Sequence, residues 1–92
     1  MATTGEERVW QVRPGLLYRA LVDGGMIYDG GSGQVHHLNA TAAQVWERCQ
    51  GGATHAELGD SLCSQYAVET TQAQADVGKI LQHFADACLL EP

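Results

Sequence analysis

Basic residues are scarce: Arg8, Arg13, Arg19, Arg48 and Lys79 stand against eleven acidic ones, leaving a formal net charge of −6. A duplex-binding surface must neutralise several phosphates with clustered cations, and five scattered ones cannot build that patch. The imbalance deepens from Thr41 onward, where Arg48 and Lys79 face Glu47, Glu57, Asp60, Glu69, Asp76, Asp86 and Glu91. A recognition helix from that half carries net negative charge to a polyanion, so nucleic acid is not an expected partner. No apolar run approaches the roughly 18 residues of a membrane span, and no membrane association is expected. Met1 to Glu7 lack the basic flank and apolar stretch of a signal peptide, which predicts a cytoplasmic location.

Cysteine is sparse too. Cys49, Cys63 and Cys88 are odd in number, widely spaced and without a CxxC pair. Each sits among apolar residues in a helical pattern, which predicts buried, reduced thiols rather than a disulfide framework. The four histidines, His36, His37, His55 and His83, match no zinc spacing with them. Adjacent His36 and His37 point to opposite faces of a strand, so one ion cannot easily take both. No metal or other cofactor is expected. Gly30-Gly31-Ser32-Gly33 lies between two strand patterns and lacks the strand-to-helix setting of a phosphate loop. Nothing places an orienting group beside a Cys–His pair, so no catalytic residue is assigned and no enzyme is expected.

What the 92 residues do contain is one domain's worth of patterned chain, with 45% hydrophobic content. A single domain over residues 1–92 is expected, with its core at about 10–90. The period changes near Asn39. Before it lie β-prone runs, Leu16 to Val22, Met26 to Asp29 and Gln34 to Leu38, separated by Asp23-Gly24-Gly25 and by the Gly30–Gly33 turn. Glycines that accept positive φ at Gly24-Gly25 predict a tight hairpin in which Asp23 pairs with Met26. The three runs form a meander, and apolar residues on both faces leave its inner face open.

After Asn39, Thr41-x-x-Gln44, Thr54-x-x-Glu57 and Thr71-x-x-Gln74 repeat the capping-box pattern, predicting three helix starts. The helices are expected at about 41–49, 54–66 and 71–88. Their stripes are Ala42, Val45, Trp46 and Cys49; Leu58, Leu62 and Tyr66; and Ala73, Val77, Ile80, Leu81, Phe84 and Cys88. The solvated flank after Thr54 takes His55. Gly78 inside the third pattern marks either close approach of another backbone or a tolerated surface position. Leu89-Leu90 reads as a tail folding back on the core. A three-stranded antiparallel sheet followed by three helices predicts an α+β fold of the winged helix-turn-helix kind.

The run Tyr28-Asp29…Ser32-Gly33…His37-Leu38-Asn39-Ala40-Thr41-Ala42-Ala43…Val45-Trp46 resembles the strand-to-helix junction of the PqqD-like family. Gly51-Gly52-Ala53-Thr54…Glu57-Leu58…Leu62…Tyr66, then Asp76-Val77 and Leu89-Leu90, extend the resemblance over about residues 10–92. The opening Trp10-Gln11-Val12-Arg13-Pro14-Gly15 and the Ser32-Gly33-x-x-His36 turn are similar to a subgroup that travels with an HPr-kinase-like protein.

The resemblance implies a RiPP recognition element. Such a domain captures the leader of a ribosomally made precursor peptide and presents it to a modifying enzyme. It also implies that the leader adds as a strand beside the third strand, against the third helix. The peptide-binding residues so assigned are Gln34, Val35, His36, His37 and Leu38 on the strand, and Asp76, Val77, Lys79, Ile80, His83 and Phe84 on the helix. From the residues themselves, Gln34 to Leu38 has no proline, lysine or acid to blunt an exposed edge. Such an edge accepts an extended peptide. It also serves a homodimer joined through strand edges, so the expected state is a monomer or weak homodimer. Which flank of the third helix faces that strand stays open: Gln72, Asp76, Lys79 and His83, or Gln74, Gly78 and Ala85.

Overall fold

The computed structural model describes residues 8–91. The expectation for Met1 to Glu7 lies outside them. The elements are β1 (Val9–Trp10), β2 (Leu16–Leu21), β3 (Gly24–Asp29), β4 (Gln34–Asn39), α1 (Ala40–Cys49), β5 (Ala53–Thr54), α2 (His55–Tyr66) and α3 (Thr70–Asp86). The fold is α+β: an antiparallel sheet of order β2-β3-β4 with three helices. A second sheet, β1 with β5, did not show in the sequence pattern.

The first hairpin is shifted from the expected register. Arg19, not Asp23, lies opposite Met26, and Leu21 faces Gly24. The two-residue loop is Val22-Asp23. Gly24 and Gly25 lie inside β3, and neither is among the described glycines with positive φ. They are glycines for want of space. A Cβ on Gly25 would meet the Tyr18 ring, with Cε1 at 2.6 Å, and one on Gly24 would meet the Leu38 carbonyl. The pleat then fixes the inner face: Tyr18, Ile27 and His36 share one cross-strand row and Ala20, Gly25 and Leu38 the next.

Against that face sit the helices. Ile27, Val45, Trp46, Leu58, Leu62, Ala73, Val77, Leu81, Phe84, Leu89 and Leu90 are among the buried core. Trp46 lies between Tyr18 and Phe84, with ring centroids 6.4 Å and 5.3 Å away. The Tyr18 hydroxyl donates to Glu47 Oε2 at 2.7 Å. Burial, that hydrogen bond and the Glu47 charge push its phenol up to about 12. It remains a donor across the physiological range.

Only one of the three expected capping boxes forms. The Glu57 N–H donates to Thr54 Oγ1 at 3.1 Å, and the Thr54 N–H donates to Glu57 Oε1 at 2.9 Å. At α1 the cap is Asn39, whose Oδ1 accepts from the Ala42 N–H at 2.8 Å, because β4 runs directly into the helix. At α3 the cap position is Glu69, with no side-chain cap bond. Three further expectations are corrected. Tyr66 is 40% exposed rather than part of a buried stripe. His55 is half-buried, its Nε2 lying 2.8 Å from the Gln74 carbonyl oxygen. Of the cysteines, Cys49 is buried, Cys63 half-buried and Cys88 exposed, because α3 ends at Asp86 and the chain turns at Cys88 with φ 60°.

The first described segment is fully engaged. Val9 and Trp10 pair with Thr54 and Ala53, and Val12 bridges Leu90. The Arg13 N–H donates to the Leu89 carbonyl at 2.9 Å and the Glu91 N–H to the Gln11 carbonyl at 2.8 Å. Leu89 and Leu90 are thereby held against the core.

Candidate functional site

β4 is an edge strand: β3 occupies one side, and among the described residues no strand pairs with the other. A two-residue hairpin closes on a hydrogen-bonded pair, here Leu21 and Gly24. Antiparallel alternation then directs the main chains of Gln34, His36 and Leu38 towards β3. Those of Val35 and His37 point away from the sheet. Their N–H and C=O groups form the unpaired ladder that an edge strand offers to another chain.

Across from this edge runs α3. A groove of about 430 Å³ lies between them, lined by His37, Leu38, Asn39, Thr41, Ala42, Asp76, Lys79, Ile80, His83 and Phe84. Its floor is apolar: Leu38 and Phe84 are buried, and Ile80 is half-buried. Its rim is polar, with Lys79 and His83 exposed and Asp76 half-buried. The Asp76 carboxylate already accepts from Gln72 Nε2 at 2.9 Å.

Of the residues singled out in the sequence, the structure brings together His37, Leu38, Asp76, Lys79, Ile80, His83 and Phe84 around this groove. Gln34, Val35, His36 and Val77 are not on its wall. His36 faces inward beside Ile27, Val77 is wholly buried, and Val35 projects from the outer face of the sheet. Gln34 starts the strand beyond the groove's end, opposite Asp29. Of the four, only Val35 directs an unpaired main chain towards the edge. Asn39, Thr41 and Ala42 were missed. They line the groove because Asn39 caps α1 directly at the end of β4, so the first helical turn closes one end.

The open question of the α3 flank is answered by the same geometry. Asp76, Lys79 and His83 face the groove, whereas Gly78 looks towards His55 of α2. Among the described residues no group of three or more His, Cys, Asp or Glu could hold a metal ion. No described helix is long and apolar enough to cross a membrane.

Comparison with solved structures finds the same architecture in three proteins. TbiB1 in complex with the TbiA(beta) leader peptide superposes with a TM-score of 0.80 at 21% identity, covering 88% of this chain and 94% of that one. Lasso peptide synthetase B1 complexed with the leader peptide gives 0.79 at 29% identity, covering 90% and 98%. The PqqD truncation of Methylobacterium extorquens PqqCD, described as a stand-alone RiPP recognition element, gives 0.75 at 19% identity, covering 91% and 89%. No curated protein matches the sequence. The family model of coenzyme PQQ synthesis protein D (PqqD) matches residues 24–90, which hold the sheet's last two strands, all three helices and every residue of the groove, and the chain therefore belongs to the PqqD family.

Proposed function

We propose that this protein is a RiPP recognition element without a reaction of its own: it captures a precursor peptide's leader and presents it to a modifying enzyme. The leader adds as a fourth strand to the free edge of β4. Val35 and His37 supply main-chain hydrogen bonds, and leader side chains on alternate positions enter the groove over Leu38, Ile80 and Phe84. The observation that carries this reading is the unpaired edge of β4 facing α3 across an apolar-floored groove. The complexes of TbiB1 and of lasso peptide synthetase B1 with leader peptides support it, as proteins of the same architecture.

An amide-shift titration with leader peptides of precursors encoded in the same genome tests the reading. The expected shifts focus on Val35 to Ala42 and Asp76 to Phe84. Shifts centred on α2, or scattered without focus, overturn it. Shifts of the β4 amides that grow with protein concentration and without peptide assign the edge to self-association instead.

A further inference from the structure

We infer that the groove selects peptides carrying a carboxylate two positions from an apolar residue, with Lys79 as the residue that reads the acid. This deepens the proposed leader capture and rests on it. Lys79 is the protein's single lysine, and it stands on the groove rim within a chain of net charge −6. The other cations are placed elsewhere. Arg13 is paired with Asp29 at 2.9 Å, and Arg8 stacks on Trp10, its Cζ 4.0 Å from the ring centroid. Arg19 projects from the outer face of the sheet opposite Met26, and Arg48 lies beside Glu57 and does not line the groove.

Among the described residues Lys79 makes no salt bridge, although Asp76 lies one helical turn before it. Asp76 is instead engaged by Gln72 through a 2.9 Å hydrogen bond. His83 adds a nitrogen-bearing ring to the same rim, and Asp76 is the sole acid of the lining. The groove therefore presents an uncommitted ammonium above an apolar floor, on a surface that is otherwise acidic. Opposite charges across an interface discriminate partners more than they add affinity. A leader strand with a Glu or Asp two positions from a large apolar residue presents both on one face and satisfies both features. A basic leader meets the ammonium as a like charge.

A random peptide display library, selected against the folded protein and against its Lys79→Glu variant, tests this without knowing the natural leader. Wild type should enrich peptides with Asp or Glu two positions from an aromatic or aliphatic residue, the spacing that puts both side chains on one face of an added strand. Lys79→Glu should lose that preference and favour Lys or Arg at the same place. For a synthetic peptide from the wild-type pool, Lys79→Gln should weaken binding about 2- to 5-fold, the effect of one exposed ion pair, and Lys79→Glu should weaken it further. Helical circular dichroism of both variants should match wild type, since Lys79 is exposed. Peptides enriched without an acidic preference, or with one that survives Lys79→Glu, overturn the inference and leave strand capture standing. A library from which nothing is enriched overturns both.

Discussion

Phe84 meets Trp46 edge-on, with ring centroids 5.3 Å apart and planes at 87°. Both rings are almost wholly inaccessible, yet Phe84 also lines the groove. The ring that shapes the binding surface is thus part of the structural core, and the two roles cannot be separated by truncation. Phe84→Ala should cost about 3–5 kcal/mol of stability through lost burial and the cavity left behind. Phe84→Leu, which keeps most of the volume, should cost less while still altering the groove floor. Urea unfolding of the two variants measures this, and a loss under about 1 kcal/mol for Phe84→Ala contradicts the packing described.

The cysteines should react in order of access. Burial pushes the Cys49 thiol up to about 11, so it holds almost no thiolate at neutral pH and is sealed in the core as well. Cys88 is exposed. Limited native alkylation followed by peptide mapping should modify Cys88 first and leave Cys49 unmodified until denaturant is added. Early labelling of Cys49 shows that the core beneath α1 opens readily.

Asp29 ties the end of β3 to the segment before β2. Burial opposes its charge, but the Gly31 N–H, the Ser32 hydroxyl and the Arg13 guanidinium outweigh that and hold the carboxyl below its usual 3.8. Arg13 also donates through Nε to the Cys88 carbonyl at 2.8 Å, linking this corner to the tail. A carboxyl whose folded pKa is depressed gives stability that is full above its unfolded pKa and is lost as pH falls through the folded one. The Asp29→Asn variant should therefore lose less stability than wild type between pH about 5 and about 2. Parallel acid limbs for the two proteins in urea melts show that the pair contributes nothing.

The two helical glycines should respond differently to alanine. Gly78 has room: a Cβ there meets only His55 Cε1, at an ordinary 3.5 Å. Gly78→Ala should stabilise by about 0.5–1 kcal/mol from helix propensity alone. Gly59 of α2 is buried, and a Cβ there would run into the Gln74 side chain of α3. Gly59→Ala should gain less than Gly78→Ala, because the end of the flexible Gln74 side chain must first swing aside. Thermal melts of both variants decide, and an equal or larger gain at Gly59 refutes this account of α2–α3 packing.

The parts of this fold legible in the sequence are those set by local period. Ala73, Val77, Leu81 and Phe84 recur at helical spacing through α3, and all four are buried. The order of strands before helices was readable from the change of period at Asn39. Contacts distant in sequence decided the rest. Gly24-Gly25 has the composition of a turn, but the space taken by Tyr18 and Leu38 makes it a strand. Thr41 and Thr71 match a capping pattern as well as Thr54 does. At Thr41 the end of β4 passes the role to Asn39 instead. The groove shows the same division. Its α3 wall follows from one helical flank, whereas Thr41 and Ala42 join it only because α1 begins where β4 stops.

Proline substitutions along β4 should separate binding from folding, because adjacent N–H groups point in opposite directions. At Val35 and His37 the N–H faces the free edge, so proline removes a donor that the folded protein itself does not use. Val35→Pro and His37→Pro should keep cooperative unfolding yet weaken leader binding about 3- to 10-fold each, the cost of one main-chain hydrogen bond. His36 is different: its N–H belongs to the ladder with β3, opposite Ile27. His36→Pro leaves the Ile27 carbonyl without its donor beside the core and should destabilise the sheet by about 1–3 kcal/mol. Calorimetric titration of a leader peptide, together with urea melts of all three variants, reads both quantities. Unchanged affinity in both edge variants removes β4 from the binding surface, even if the groove side chains remain in contact with the peptide.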